Sequence, residues 1–214
     1  MDYLKNYLLN KKYSILTIVV IFAVIGIYLT LSSPGMKNKT GNRYEMEIIK
    51  LPEPFQDSKT SVEKALSERR SVREYKNEPL ELAEISQLLW AAQGITDRRG
   101  FRTAPSAGAL YPLELYIVAG NVNHLPNGIY KYNPNGHELS RVAEGDKRTE
   151  LCDAALGQLS VSDAAAIIVF SAVYDRITGK YGNRGIRYTY TEVGHAAQNI
   201  CLEAVSLNLG TVTI

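Results

Sequence analysis

Between Pro79 and Gly94, apolar Leu82, Ile85, Leu88, Leu89 and Ala92 recur at helical spacing. The pattern predicts an amphipathic helix that proline introduces and glycine closes, with Trp90 beside its buried face as a core residue. Upstream, Thr60-Ser61-Val62-Glu63 reads as a capping box, Thr60 being the N-cap and Glu63 lying three residues on. Val62, Ala65 and Leu66 are expected to bury one face of this first helix. Alternating and short apolar runs predict strands at 113–119 (LELYIVA) and 128–132 (GIYKY), and an NPNG turn at 133–136 leads into HELSRV to close a hairpin. A helix is expected around 147–157, and AAAIIVFSAV at 164–173 reads as a buried central strand. A long helix from Tyr188 to Leu207 would bury Val193, Ala197, Ile200, Cys201, Ala204 and Val205 and stop at Gly210, after which TVTI opens another strand. Helices at both ends with strands between them, several antiparallel, give an α+β class.

Two stretches lack periodicity: residues 95–112 and the basic, tyrosine-rich residues 174–187. Long connections inside a domain are often functional. One run is wholly apolar or uncharged, SILTIVVIFAVIGIYLTL from Ser14 to Leu31. As a helix it would be roughly 27 Å long, near the ~30 Å of a bilayer core. Lys5, Lys11 and Lys12 precede it, and no small-residue cleavage pattern or lipidation cysteine follows it. It is expected to be a retained single-pass transmembrane anchor, so the protein is expected at a membrane. Lys37, Lys39 and Arg43 nearly balance the upstream lysines and leave the side of the soluble domain open. The chain thus divides into a basic tail (1–13), an anchor (14–31), a linker (32–59) and a folded domain (60–214).

With 24 basic and 22 acidic side chains among 214 residues, no overall field draws nucleic acid to the protein. Cys152 and Cys201 both lie in apolar contexts and read as buried thiols. His124, His137 and His195 are scattered without metal-ligand spacing, so no metal site is expected. GKYG at 179–182 lacks the glycine and hydroxyl residue that a P-loop requires, and no G-x-G-x-x-G follows a strand.

Three features remain. Arg69, Arg70 and Arg73 crowd around Ser71 at the end of the first helix, Pro105, Ser106, Ala107 and Gly108 form a loop of small residues, and residues 174–188 carry several cations and tyrosines. Each also has a plain structural reading: a solvated helix end, a turn into a strand, a charged surface. Together they suit a flat anionic ligand. Guanidinium groups hold phosphate bidentately, and small residues let backbone approach a ring edge. Flavin mononucleotide has both ends.

RRSVREY, then PSAGALYPLELYIV, then KYGNRGIRYTYTEVGHAAQNICLEAVSLNLGT resemble the SagB-type branch of the FMN-dependent nitroreductase superfamily, from about Thr60 to Ile214. The resemblance implies a nitroreductase-like α+β fold, a mixed or antiparallel sheet flanked by helices, that binds FMN at a homodimer interface and passes hydride through it. Arg69, Ser71 and Arg73 match the family's flavin motif, with Arg70 among them; Arg69 would face the phosphate and Arg73 the ring. Pro105, Ser106, Ala107 and Gly108 match the segment that lies along the ring from the other subunit. Lys180 and Tyr181 match a pair given a catalytic role in relatives that oxidise azoline rings of peptides. Glu192, Gly194 and His195 fall on the long helix and read as packing residues. The implied substrate is a small molecule or modified peptide, with NAD(P)H a candidate reductant. Family members continue with a Gly-x-Phe turn, a strand and a basic phosphate contact, so the domain reads as cut short at its C-terminus. A flavin-fold module that binds without turnover is the alternative function.

Overall fold

AIIVFSA, residues 166–172, is apolar at nearly every position, and it forms a strand with neighbours on both sides. The computed structural model describes residues 14–19 and 47–214. In chain order the strands are β1 (Ser14–Val19), β2 (Ile48–Lys50), β3 (Leu113–Ala119), β4 (Gly128–Asn133), β5 (Glu138–Glu144), β6 (Ala166–Ala172) and β7 (Leu209–Thr213). The helices are α1 (Val62–Glu68), α2 (Leu82–Gln93), α3 (Arg148–Ala154), α4 (Leu159–Ser162), α5 (Asp175–Tyr181) and α6 (Arg184–Ser206), with one 3-10 turn at Ala107–Ala109. The described strands form one mixed sheet in the order β2-β5-β4-β3-β6-β1-β7. β3 pairs antiparallel with β6 from Leu113 opposite Ala172 to Ala119 opposite Ala166, while β1 runs parallel to both β6 and β7.

The core follows from these pairings. Ile117, Ile167, Ile168, Leu139 and Tyr130 are fully buried in the sheet, and Ile85, Leu88, Leu89 and Ala92 are the buried face of α2. α6 lies against α2 and α1. Asn199 of α6 donates to the carbonyls of Ala91 (3.1 Å) and Thr103 (3.3 Å), tying α6 to α2 and to the loop after it. Gly94 closes α2, and a Cβ there would meet the Trp90 ring at 2.1 Å. Glycine is required for that close approach rather than for any unusual φ.

Several expectations need correction. Ser14–Val19 form β1 and not the start of a membrane-spanning helix. Ile15, Thr17, Ile18 and Val19 are β-branched, and an apolar run alone does not separate strand from helix. Residues 20–31, on which the expected anchor otherwise rests, lie outside the described residues, as do the tail and residues 32–46. Among the described residues no helix is long and apolar enough to cross a membrane. Residues 47–59, assigned to the linker by composition, meet the sheet: β2 pairs with β5, Leu51 is buried, and Phe55 exchanges two backbone bonds of 3.0 Å with the Gln87 side chain.

The N-cap of α1 is Ser61, whose hydroxyl accepts from the Lys64 N–H, and not Thr60. The cap therefore stands one residue later than expected, and with Lys64 at the third helical position it is a single bond rather than a box. Of the first helix's apolar face only Ala65 is buried; Val62 and Leu66 are 66% and 54% exposed. Trp90 is half-buried and lines an open cavity with Val62, Ala65 and Leu202, so it is less a core residue than expected. The stretch 174–187 is helical rather than irregular, since α5 occupies most of it and α6 begins at Arg184. Gly182 (φ 54°, ψ −147°) separates the two helices, and its breaking character masks α5 and the first turn of α6, whose remainder lies where expected. α6 ends at Ser206 with Leu207 as its C-cap, and Asn208 at φ 59°, not Gly210, breaks it; Gly210 already lies inside β7.

Candidate functional site

Arg69 caps α1 with its N–H on the Ala65 carbonyl at 2.9 Å, after which the chain turns extended. Ser71 bridges Thr211 of β7, and the Val72 N–H donates to the Thr211 carbonyl at 2.8 Å. The outer edge of β7 is thus paired where the arginines emerge. Among the described residues neither the Arg69 nor the Arg73 guanidinium makes an ion pair. Arg70 differs: its Nη1 donates to the carbonyls of Ser67 (3.0 Å) and Arg69 (2.7 Å), closing its own helix end. The plain reading of a helix-end cation describes Arg70 well, and it leaves Arg69 and Arg73 unexplained.

The second cluster lies at the entrance to β3. Ser106 is extended, its carbonyl accepts from the Ala109 N–H (3.0 Å), and its Oγ accepts from the Tyr111 N–H (2.9 Å). Gly108, Ala109 and Tyr111 have φ of 66°, 53° and 45°. Two non-glycine residues in the left-handed region within four positions is costly, and such strain collects at functional turns. α5 brings Lys180 and Tyr181 to this turn. A Cβ built on Gly108 would lie 2.8 Å from Tyr181 Oη and 3.0 Å from Lys180 Nζ. Tyr181 also meets Tyr188 of α6 edge-on, ring centroids 5.2 Å apart. The turn of small residues and the Lys-Tyr pair are therefore one cluster; Pro105 is exposed at its rim.

Within one chain this cluster and the arginines stand near opposite ends of β6. Thr211 is level with Leu16, next to the Thr17–Ile167 pair, whereas Leu113 is level with Ala172. Thr211 is thus level with Ala166, six residue steps from Ala172, on the order of 20 Å.

Glu114 of β3 fastens α5 to the sheet. Its carboxylate accepts from Arg176 Nη2 at 2.5 Å and from Lys131 at 2.7 Å. Burial opposes ionisation of Glu114, but the hydrogen bonds from Lys131 and Arg176 prevail and hold it below the ordinary glutamate value. A group with a lowered folded value adds stability above the ordinary carboxylate range and loses it as pH falls through the folded value. Glu114→Gln is expected to cost about 0.5–1 kcal/mol near neutral pH, the partners being well exposed. Melting curves from neutral to acid pH should show the two proteins converging as pH drops.

Sequence patterns missed a third group. Glu192 of α6 is only 1% exposed, on the face that also buries Thr189, Val193 and Ala196. Neither of its carboxylate oxygens has a hydrogen-bond partner, and Gln93 Nε2 and Arg102 Nε, both buried, are equally without one. Arg102 donates to Gln93 Oε1 at 2.9 Å and lies over the Tyr111 ring, 4.4 Å from its centroid. Burial pushes the Glu192 carboxyl up from the ordinary range; Ser106, Gln93 and Arg102 stand close enough to oppose this in part.

Known proteins share this frame. A family model described as the nitroreductase family matches residues 66–214. A nitroreductase-named protein of Methanocaldococcus jannaschii is 48% identical over 153 residues, which are 72% of this chain and 77% of that one. A crystal structure from Ralstonia eutropha, also named as a nitroreductase, superposes with a TM-score of 0.66 at 32% identity over 76% of this chain and 73% of that chain. The E. coli microcin synthetase McbBCD, solved with truncated pro-MccB17 bound, gives a TM-score of 0.54 at 22% identity over 98% of this chain and 79% of that chain, a likeness of fold.

Proposed function

Because this chain belongs to the nitroreductase family, we propose that it is an FMN-dependent oxidoreductase acting as a homodimer. Hydride passes through the flavin to or from a small molecule or a modified peptide. One observation carries this reading: two guanidinium groups without ion pairs among the described residues and a strained turn of small residues, at which Lys180 and Tyr181 converge. The residues fit FMN at both ends. Arg69 and Arg73 suit its phosphate and ring-side charge, since each charge-assisted hydrogen bond contributes ~1.5–3 kcal/mol. Ser106, Ala107 and Gly108 carry no bulk that would keep a planar ring from the backbone.

The offset of about 20 Å within one chain supports a composite site, one subunit giving the cations and the other the turn. Bound FMN supplies a ring that takes up and releases hydride. This chain supplies the phosphate grip, the ring-side backbone, and a lysine and a phenol at the turn to orient or protonate a substrate. Dehydrogenation of azoline-type rings in a peptide is the finer reading, and it rests on the Lys180-Tyr181 pair.

The purified full-length protein is expected to be yellow, and NAD(P)H under argon is expected to bleach it. Protein that stays colourless after incubation with excess FMN would overturn the flavin assignment. Yellow protein that the reductant does not bleach would mark a binding module without turnover.

A further inference from the structure

Four buried polar atoms lack partners where α2, α6 and the 102–111 segment meet: Glu192 Oε1 and Oε2, Gln93 Nε2 and Arg102 Nε. An uncompensated buried carboxylate is among the costliest groups a protein holds, so it survives where the surroundings make use of it. Its neighbours belong to the candidate site. Ser106 opens the strained turn and already accepts from the Tyr111 N–H, and Arg102 stacks on Tyr111.

We propose that Glu192 is a positioning residue: its carboxyl links Gln93 of α2 to Ser106 and so fixes where the Ser106–Gly108 turn stands against Lys180 and Tyr181. This rests on the flavin-site reading above for its functional meaning. A neutral carboxyl has one O–H and one carbonyl oxygen, which match the Ser106 hydroxyl oxygen and the Gln93 amide N–H. An ionised carboxylate accepts from the Ser106 hydroxyl and the Gln93 amide together, with the Arg102 charge beside it, so either form bridges the two. Burial favours the neutral form. The charged or titratable groups around it are Arg102, with Tyr111, Tyr132 and Arg176 acting on Arg102 in turn. A carboxyl raised on folding adds stability at low pH and loses it as pH rises through the folded value. That dependence belongs to the stability of the fold; the link from Gln93 to Ser106 is kept in both forms.

Amide hydrogen exchange in the full-length chain, without flavin, tests this. The Ala109 and Tyr111 amides report the turn, and amides of β6 report the global fold. At low pH, Glu192→Leu is expected to raise exchange at Ala109 and Tyr111 about tenfold, the size of one lost buried hydrogen bond, with β6 unchanged. Glu192→Gln, which keeps the shape and stays neutral, should remain within about twofold of the natural protein. After correction for intrinsic exchange, the natural protein and Glu192→Gln should both keep this protection across the pH range in which the protein stays folded. Unchanged turn protection in a folded Glu192→Leu protein would overturn the proposal. So would a tenfold rise in turn exchange in Glu192→Gln, which keeps both hydrogen-bonding ends, a comparison that decides the matter if the leucine variant does not fold. Failure of the flavin reading shows in the visible spectrum and leaves this measurement intact.

Discussion

Alanine at both Arg69 and Arg73 is expected to weaken FMN binding by a hundredfold or more, because two charge-assisted contacts of ~1.5–3 kcal/mol each are lost. Arg70→Ala is the informative control. Its guanidinium is engaged on the Ser67 and Arg69 carbonyls, so its removal frays the end of α1 and leaves affinity within severalfold. Titration of flavin fluorescence against each protein measures all three. If the double variant binds as well as the natural protein, the corner does not hold the cofactor. Arg73 is exposed and Arg69 half-buried, and thermal melts of the double variant separate a lost contact from misfolding.

The other large effect is expected from Gly108→Val. A β-branched residue at φ 66° costs about 1–2 kcal/mol in backbone strain, and this alone should lower the melting temperature by several degrees. The new Cβ would also meet Tyr181 Oη and Lys180 Nζ, the free ends of two side chains that can swing away. Stability should fall little further, but the pair leaves its place, and turnover is expected to drop about a hundredfold, as small misplacements near reacting groups do. Gly145→Val separates the two causes. Gly145 has φ 83° with nothing near its Cβ position, so it shares the strain without touching the site. Steady-state kinetics beside thermal melts on both variants would show whether turnover follows the turn or only stability.

What could be read in advance divides by physical cause. α2, the β4–β5 hairpin, β3 and β6 lie close to where periodicity placed them, because each buries one face or both and the pattern records it. α5 was hidden, being only seven residues long, with Gly179 inside it and Gly182 at its end. Its face carries too few apolar positions to repeat. Val62 and Leu66 have the spacing of a buried face and are nonetheless exposed, for periodicity records a helix's apolar side and not what covers it. The sites follow the same rule. The small residues of the turn and the Lys-Tyr pair are visible as letters, but their meeting depends on the β3–β6 register. Glu192 left a trace that was available: it falls in step with Thr189, Val193 and Ala196, and an acid on a buried stripe needs a reason.

Ser71 and Val72 are stitched to Thr211, which is 140 positions further along the chain. On the ribosome the arginine corner is therefore made early and secured late. A nascent chain has the right letters for gripping a phosphoryl group long before it has the strand that aims them. Loading of a nucleotide at that corner belongs after translation has passed Thr211, and truncated products that stop short of β7 would compete poorly for it.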